Sequence, residues 1–299
     1  MRGSVDNQVS KIWTVMDGIN QSKVTDRNSS NLKAFSGHSK AKNIHSYRSK
    51  EEFINRAKEL ANYARDHFQI KDFQAITNEV ITSYINDKIE LGLQYESIST
   101  YISQIRNIKI ALNKIDNKLD SHKKQFTNVS LDNARLKARK EASRATQTNR
   151  AYSNINELSK YITPENEIAF NLQRYYGLRV SEATLIRQKG LIGNILVVVG
   201  KGGYIREISL NEKLYMLITK QLQEHGTYKV SYNSYNDNLK EAVLKNGQSW
   251  NGSHGMRYTY AQKQYSKKLE SGMSKINSLK SVSYDLGHHR VEITARYLS

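Results

Sequence analysis

Six side chains in the second half of the chain have the types that a displacement at a phosphodiester demands: Arg179, Lys201, His254, Arg257, His288 and Tyr297. The transition state of such a reaction spreads negative charge over the phosphoryl oxygens, so fixed cations and hydrogen-bond donors must meet it. A hydroxyl has to attack in line and hold the phosphate covalently. The departing 5′-oxygen needs a proton. The required parts are therefore two arginines, a lysine or histidine acid, further histidine donors and a hydroxyl nucleophile.

Each residue sits in a local setting that suits its part, and each alone also suits an ordinary surface residue. Arg179 lies in YYGLRVSEATLI between Gly177, which ends one helix, and Ser181, which can cap the next. That places it beside a helix N-terminus, an anion site, where its fork can grip two phosphate oxygens. Glu182, three residues on, is expected to orient it from behind. Lys201 stands at the tip of a glycine-rich turn in VVVGKGGYIREISL. GKGG lacks the Walker spacing and leads into a strand, so it is not a nucleotide-binding loop. His254 and Arg257, in GSHGMRYTYA, are three apart and share one helix face. No carboxylate or second histidine stands beside them at metal-ligand spacing. In DLGHHRVEITARYLS, Gly287 closes a helix, His288 follows, and Tyr297 lies nine residues further. The chain has nineteen tyrosines, so only its neighbours single out Tyr297.

These residues need a scaffold, and the pattern predicts one that is mainly α with a small β-hairpin or sheet in the C-terminal domain, an α+β class. Residues 1–45, rich in Ser, Asn, Lys and Gly, read as a basic flexible arm in which Val9–Met16 can form a short helix. Residues 46–117 read as a helical domain of three amphipathic helices. The first begins at Ser49 and Glu52, which have capping-box spacing, and carries Phe53, Ala57, Leu60, Ala61, Ala64 and Phe68. The second is capped by Thr77 and closed by Gly92, with Val80, Ile81, Tyr84, Ile85 and Ile89 as its stripe. The third carries Ile98, Tyr101, Ile102, Ile105, Ile108, Leu112 and Ile115. Residues 118–151 read as a basic linker. Its stretch RLKARKEASRATQTNR holds six Lys or Arg against one Glu and suits either a solvated tether or a segment lying along phosphates. Residues 152–299 form the domain with the chemistry. There Thr163-Pro164 starts a helix ending at Gly177. Residues 195–199 and 204–210 then read as a hairpin, and the remainder is helical.

The 299 residues suffice for two domains with real cores. A formal net charge of +18 favours a polyanionic partner, nucleic acid or an anionic membrane surface. No stretch reaches the ~18 apolar residues of a membrane span. The opening MRGSVDNQVSKIW lacks the apolar region of a secretory signal, and the absence of cysteine fits a reducing cytoplasm.

Taken together, GLRVSEA, GKGGYIREISL, SHGMRYTYA and LGHHRVEITARYL resemble the motif boxes of the tyrosine recombinase, or phage integrase, family, over roughly residues 46–299. The resemblance implies that Arg179, Lys201, His254, Arg257 and His288 are catalytic and that Tyr297 is the nucleophile. It implies site-specific recombination or integration on a mobile element: duplex DNA is cut and rejoined through a 3′-phosphotyrosine, with strand exchange via a Holliday junction. The residues 46–117 are then a core-binding domain, and four protomers assemble on two DNA sites, with room for accessory DNA-bending proteins. No metal or cofactor is implied, nor any membrane, and the setting is cytoplasmic and nucleoid-associated. Arg139 and Arg144 in the linker, with Arg206, Lys275 and Arg290 in the catalytic segment, are expected as DNA-binding cations. The sequence closes two residues after Tyr297, so a subunit contact of the kind many relatives make with a terminal helix is expected to be short or supplied elsewhere. Two other readings share these residues: a type IB topoisomerase that relaxes DNA without exchanging strands, and a catalytically silent DNA-binding regulator.

Overall fold

The structure, a computed structural model, describes residues 1, 3–33, 39–116, 126, 129–144, 148–200, 205–288 and 290–298. Lys201 and its neighbours 202–204 lie outside the described residues, as does His289. The chain divides into two compact units, Met1–Thr146 and Gln147–Ser299.

The first unit contains, among the described residues, helices α1 (Val5–Thr14), α2 (Lys23–Asn28), α3 (Tyr47–Phe68), α4 (Asn78–Glu90), α5 (Tyr95–Asp116) and α6 (Asp132–Glu141). The apolar stripes of the three long helices meet as their spacing predicts. Phe53, Ala57, Leu60 and Ala64 of α3 are buried against Val80, Ile81, Tyr84 and Ile85 of α4 and Ile98, Ile102, Ile105, Ile108 and Leu112 of α5. Complete burial of one such side chain is worth about 1.5–3 kcal/mol. Thr77 caps α4 by accepting from the Val80 amide. The cap of α3 is Ser46, which accepts from the Ser49 amide at 3.2 Å, so the helix begins three residues before the expected capping box.

Two further expectations for this unit differ from what is observed. Residues 1–45, read as a flexible arm, carry α1, whose Val9 and Ile12 enter the same core with Met16 and Ile44. Their spacing of three to four residues already made one apolar face, which the surrounding Ser, Asn and Lys obscured. Residues 132–141, read as part of a linker, form α6. Ala134 and Ala138 are its buried stripe, small enough to let it lie close against α4 and α5.

The second unit contains α7 (Ile155–Leu158), α8 (Pro164–Tyr176), α9 (Val180–Ala183), β1 (Leu185–Arg187), β2 (Leu191–Ile192), β3 (Ile195–Val199), β4 (Ile205–Ser209), α10 (Glu212–His225), β5 (Thr227–Lys229), α11 (Tyr232–Lys245), α12 (Gly255–Glu270), α13 (Lys275–Asp285) and α14 (Val291–Ala295). β2, β3 and β4 form an antiparallel sheet, and β1 pairs separately with β5. Across β3 and β4 the register sets Leu196 opposite Ile208 and Val198 opposite Arg206. Paired residues share a sheet face, so Arg206 lies on the side of the buried Leu196 and Val198. The fold is thus mainly helical with a small sheet in the C-terminal unit.

The tyrosine-rich stretch between the hairpin and His254 is largely explained by packing. The Tyr228 hydroxyl donates to the Glu165 carbonyl at 3.0 Å, and the buried Tyr235 hydroxyl donates to Gln173 Oε1 at 2.6 Å.

Candidate active site

Three short stretches of the second unit converge on one place. The first is the turn between α8 and α9. Gly177 closes α8 with φ +62°. A Cβ here would stand 2.5 Å from the Tyr260 ring and 2.9 Å from Leu286, so the close approach itself requires glycine. Arg179 is the N-cap of α9, and Glu182 reaches back to it twice. Glu182 Oε2 accepts from the Arg179 amide at 2.9 Å and Oε1 from its Nη1 at 2.8 Å. Ser181, expected as the cap, lies inside the helix instead. A carboxylate at the third helical position satisfies the free amide better than a serine at the second.

The second stretch is the start of α12, with His254 as N-cap and Arg257 in the first turn. Arg257 is completely buried. Its Nη1 donates to the Gly177 carbonyl. Its Nη2 lies 2.9 Å from both the Leu286 carbonyl and His288 Nε2, while its Nε has no partner. One guanidinium therefore ties all three stretches together.

The third stretch runs from the end of α13 through α14. Gly287, at φ +63°, turns the chain so that His288 points back into the cluster. A guanidinium offers only donors, so His288 Nε2 must accept from Arg257. The neutral ring then carries its proton on Nδ1, which donates to Thr294 Oγ1 at 3.0 Å. As placed, His288 braces Arg257, and its N–H is committed to Thr294 rather than free for a phosphate.

Tyr297 is 7% exposed. Its hydroxyl is 2.7 Å from His254 Nε2, its ring stacks on Tyr258 at 4.4 Å, and its carbonyl accepts from Gln262 Nε2 at 2.9 Å. The His288 ring centroid lies 4.9 Å from its own.

The electrostatics follow from burial among like charges. His254 is lowered to about 4, chiefly by desolvation and then by the charges of Arg257, Arg150 and Arg179. His288 is lowered to about 3, again by desolvation first, then by Arg257 and Arg179. Both imidazoles are neutral at pH 7. Arg257 itself is lowered to about 10 by burial and by Arg179. It stays charged, since that value is still well above neutral pH. The guanidinium groups of Arg179 and Arg206 both pair with Glu182, the charge of Arg257 lies near them, and Asp285 adds a second carboxylate beside Arg206, so cations outnumber carboxylates by three to two. A buried excess of positive charge with an unpaired donor costs several kcal/mol unless an anion arrives to meet it.

Of the six expected residues, the structure brings together Arg179, His254, Arg257, His288 and Tyr297; Lys201 is not described. Glu182 stands behind Arg179 as expected. Among the expected DNA contacts, Lys275, Arg290, Arg139 and Arg144 are exposed, the last with its guanidinium 5.3 Å from the Tyr95 ring. Arg206 is the exception. Its side chain is 9% exposed, and its fork donates to Glu182 Oε2 at 2.6 Å and to the Asp285 carbonyl at 2.7 Å. Strand alternation turns it inward, on the same face as Ile208 and the buried Leu210. Sequence reasoning did not single out Thr294, Tyr258 or Gln262. It counted Arg150 as a linker charge, whereas this residue donates to the Asn251 carbonyl and lies 5.8 Å from the Tyr258 ring. Among the described residues no group of three or more histidine or acidic side chains could hold a metal ion, and no helix is long and apolar enough to cross a membrane.

No protein-family model matches the sequence, and no curated protein matches it. Solved structures do match, and they are tyrosine recombinases. The XerH site-specific recombinase bound to palindromic difH substrate, in a post-cleavage complex, superposes with a TM-score of 0.63 at 14% identity, over 99% of this chain and 93% of that one. A lambda integrase dimer bound to a COC′ core site gives 0.57 at 14% identity, over 86% and 73%. The Tn1549 transposon integrase in complex with transposon right end DNA gives 0.54 at 15% identity, over 99% and 95%. The chain has the fold of these proteins.

Proposed function

We propose that this protein is a site-specific DNA recombinase that cuts and rejoins duplex DNA through a covalent bond from Tyr297 to a backbone phosphate. The single observation that supports this most is the hydroxyl of Tyr297 standing 2.7 Å from a neutral His254, beside the guanidinium groups of Arg179 and Arg257. Net charge of +18 and a fold shared with recombinases solved on DNA point the same way.

In this reading a scissile phosphate enters between Arg179 and Arg257, which hold its non-bridging oxygens. The Tyr297 oxygen attacks phosphorus while its proton passes to His254 Nε2, which burial and neighbouring cations keep free to accept it. The bond from phosphorus to the 5′-oxygen breaks, and that oxygen takes a proton from Lys201, the role the motif resemblance gives it. The phosphotyrosine holds the 3′ end until a 5′-hydroxyl attacks in the reverse sense and frees Tyr297. His288 supports the reaction by fixing Arg257. Four protomers on two sites would exchange strands through a Holliday junction.

The test is a duplex carrying the sequence this protein protects from nuclease, nicked beside the expected cleavage position so that the severed end diffuses away. Wild type is expected to leave a denaturation-resistant protein–DNA adduct and Tyr297→Phe none. An adduct from the phenylalanine variant, or none from wild type, overturns the assignment.

A further inference from the structure

Resting on that reading, we infer that Arg206 is a positioning residue: it shares the Glu182 carboxylate with Arg179 and so leaves the Arg179 guanidinium free to grip phosphate. Glu182 is 5% exposed and carries the negative charge next to Arg179. Buried and unshared, a carboxylate draws an arginine into a two-pronged pair, the strongest geometry available to both. An Arg179 held that way would have to give up one prong for every phosphate oxygen it took. The structure shows a different arrangement. Arg179 gives Glu182 a single prong, Nη1 to Oε1 at 2.8 Å, and Oε2 is occupied by Arg206 Nη2 at 2.6 Å and the Arg179 amide at 2.9 Å.

Arg206 is fixed in that position from two more directions. Its Nη1 donates to the Asp285 carbonyl at 2.7 Å, at the end of the helix that leads to His288. The absent side chain of Gly287 leaves room for its stem, since a Cβ there would stand 3.0 Å from both Cδ and Nε. Its place on β4, opposite the buried Val198, sets its direction. A residue kept only for stability would not need charge here, because an apolar side chain on this face would pack against Val198 without desolvating a guanidinium.

The experiment has one readout that needs no DNA and one that does. In a crystal structure of Arg206→Met, Arg179 is expected to turn its second terminal nitrogen to within about 3.2 Å of Glu182 Oε2. An Arg179 still joined by one prong overturns the inference, whatever the protein does to DNA. On the nicked duplex at saturating concentration, the rate of adduct formation by Arg206→Met is expected to fall about 10- to 100-fold, with DNA affinity within about threefold of wild type. Adding Glu182→Gln removes the charge that traps Arg179, so the double variant is expected to react faster than Arg206→Met alone. A rate for Arg206→Met within about twofold of wild type, or a double variant slower than the single, overturns it. Should Arg206→Met fail to fold, Arg206→Lys decides. It keeps the charge beside Glu182 and gives up the Asp285 contact, so it is expected to retain at least about a third of the wild-type rate; a larger loss in a folded protein rejects charge sharing. Absence of any adduct from wild type counts against the recombinase reading alone, because the crystallographic readout stands without it.

Discussion

Each unit holds a cation away from bulk water, and each treats it differently. In the first, the Lys114 ammonium has three protons and three acceptors: the Val15 carbonyl at 2.9 Å, the Lys42 carbonyl at 3.0 Å and Asn43 Oδ1 at 2.6 Å. Every donor is used, and the lysine acts as a strut between α5 and the residues that lead into α3. In the second, Arg257 is deeper, lies near the like charge of Arg179, and keeps its Nε unpartnered. The first arrangement satisfies every donor of a lysine whose pKa burial lowers, and leaves none over. The second leaves the folded chain with a donor unpaired and a like charge nearby, an arrangement that an anion would relieve.

The sharpest way to break this contrast is to remove apolar volume from the first unit. Phe53 is completely buried among α1, α3 and α5. Phe53→Ala should cost about 3–5 kcal/mol, read by chemical denaturation, and should leave the His254 and His288 ring signals unchanged in an NMR spectrum. A cost below about 1 kcal/mol would mean that apolar packing is not what holds this unit, and the contrast with the charged second unit would lose its first half.

A pH-dependent effect sharpens the other half. Both site histidines have folded-state values below the usual ~6.5, at about 4 and about 3. Above pH 6.5 they are neutral folded or unfolded, and their contribution is fully present. Between 6.5 and about 4 the unfolded chain takes up protons that the folded site refuses, so stability falls as pH falls. Below about 3 both states are protonated and the loss is complete. His254→Gln/His288→Gln should therefore show a shallower loss of stability than wild type between pH 6.5 and 4, measured as denaturation midpoint against pH. Parallel profiles would mean that the two rings are not held neutral by the cations around them.

How much of this was legible in the sequence depended on which signal carried it. The three long helices of the first unit were plain because their apolar residues recur every three to four residues over three or more turns. α6 was hidden, and α1 was legible as a short helix but not as part of the core, because two or three small or isolated apolar residues among Lys, Asn and Ser give too weak a stripe to show what it packs against. In the second unit residue type marked the chemistry, and the structure gathers five of the six expected side chains. What the sequence could not show was direction. Nothing in the letters says that His288 spends its lone pair on Arg257, a fact fixed by the turn at Gly287. Arg206 was readable, since alternation along β4 puts it on the inner face, but a positive charge in a basic chain draws the reader toward DNA.

The smallest effect tests whether rim charges matter at all. Arg48 and Glu52 form an i, i+4 pair on α3 with nitrogen and oxygen 3.4 Å apart, and their side chains are 90% and 45% exposed. Water screens such a pair, and ordering two long side chains costs entropy, so exposed pairs give about 0.2–1 kcal/mol at best. Here the orientation weakens it further. Arg48 is in the first turn after the Ser46 cap, where the helix dipole disfavours a cation, and arginine preceding glutamate is the poorer order for an i, i+4 pair. The two contributions oppose each other, so Arg48→Ala should shift stability by no more than about 0.5 kcal/mol, read by the same denaturation midpoint as Phe53→Ala. The Arg206–Glu182 pair differs in every one of these respects, being shorter, buried and joined to a third group. A loss above about 1 kcal/mol for Arg48→Ala would place electrostatic stabilisation at the surface of the first unit, and burial would no longer be what separates a working charge in this protein from an idle one.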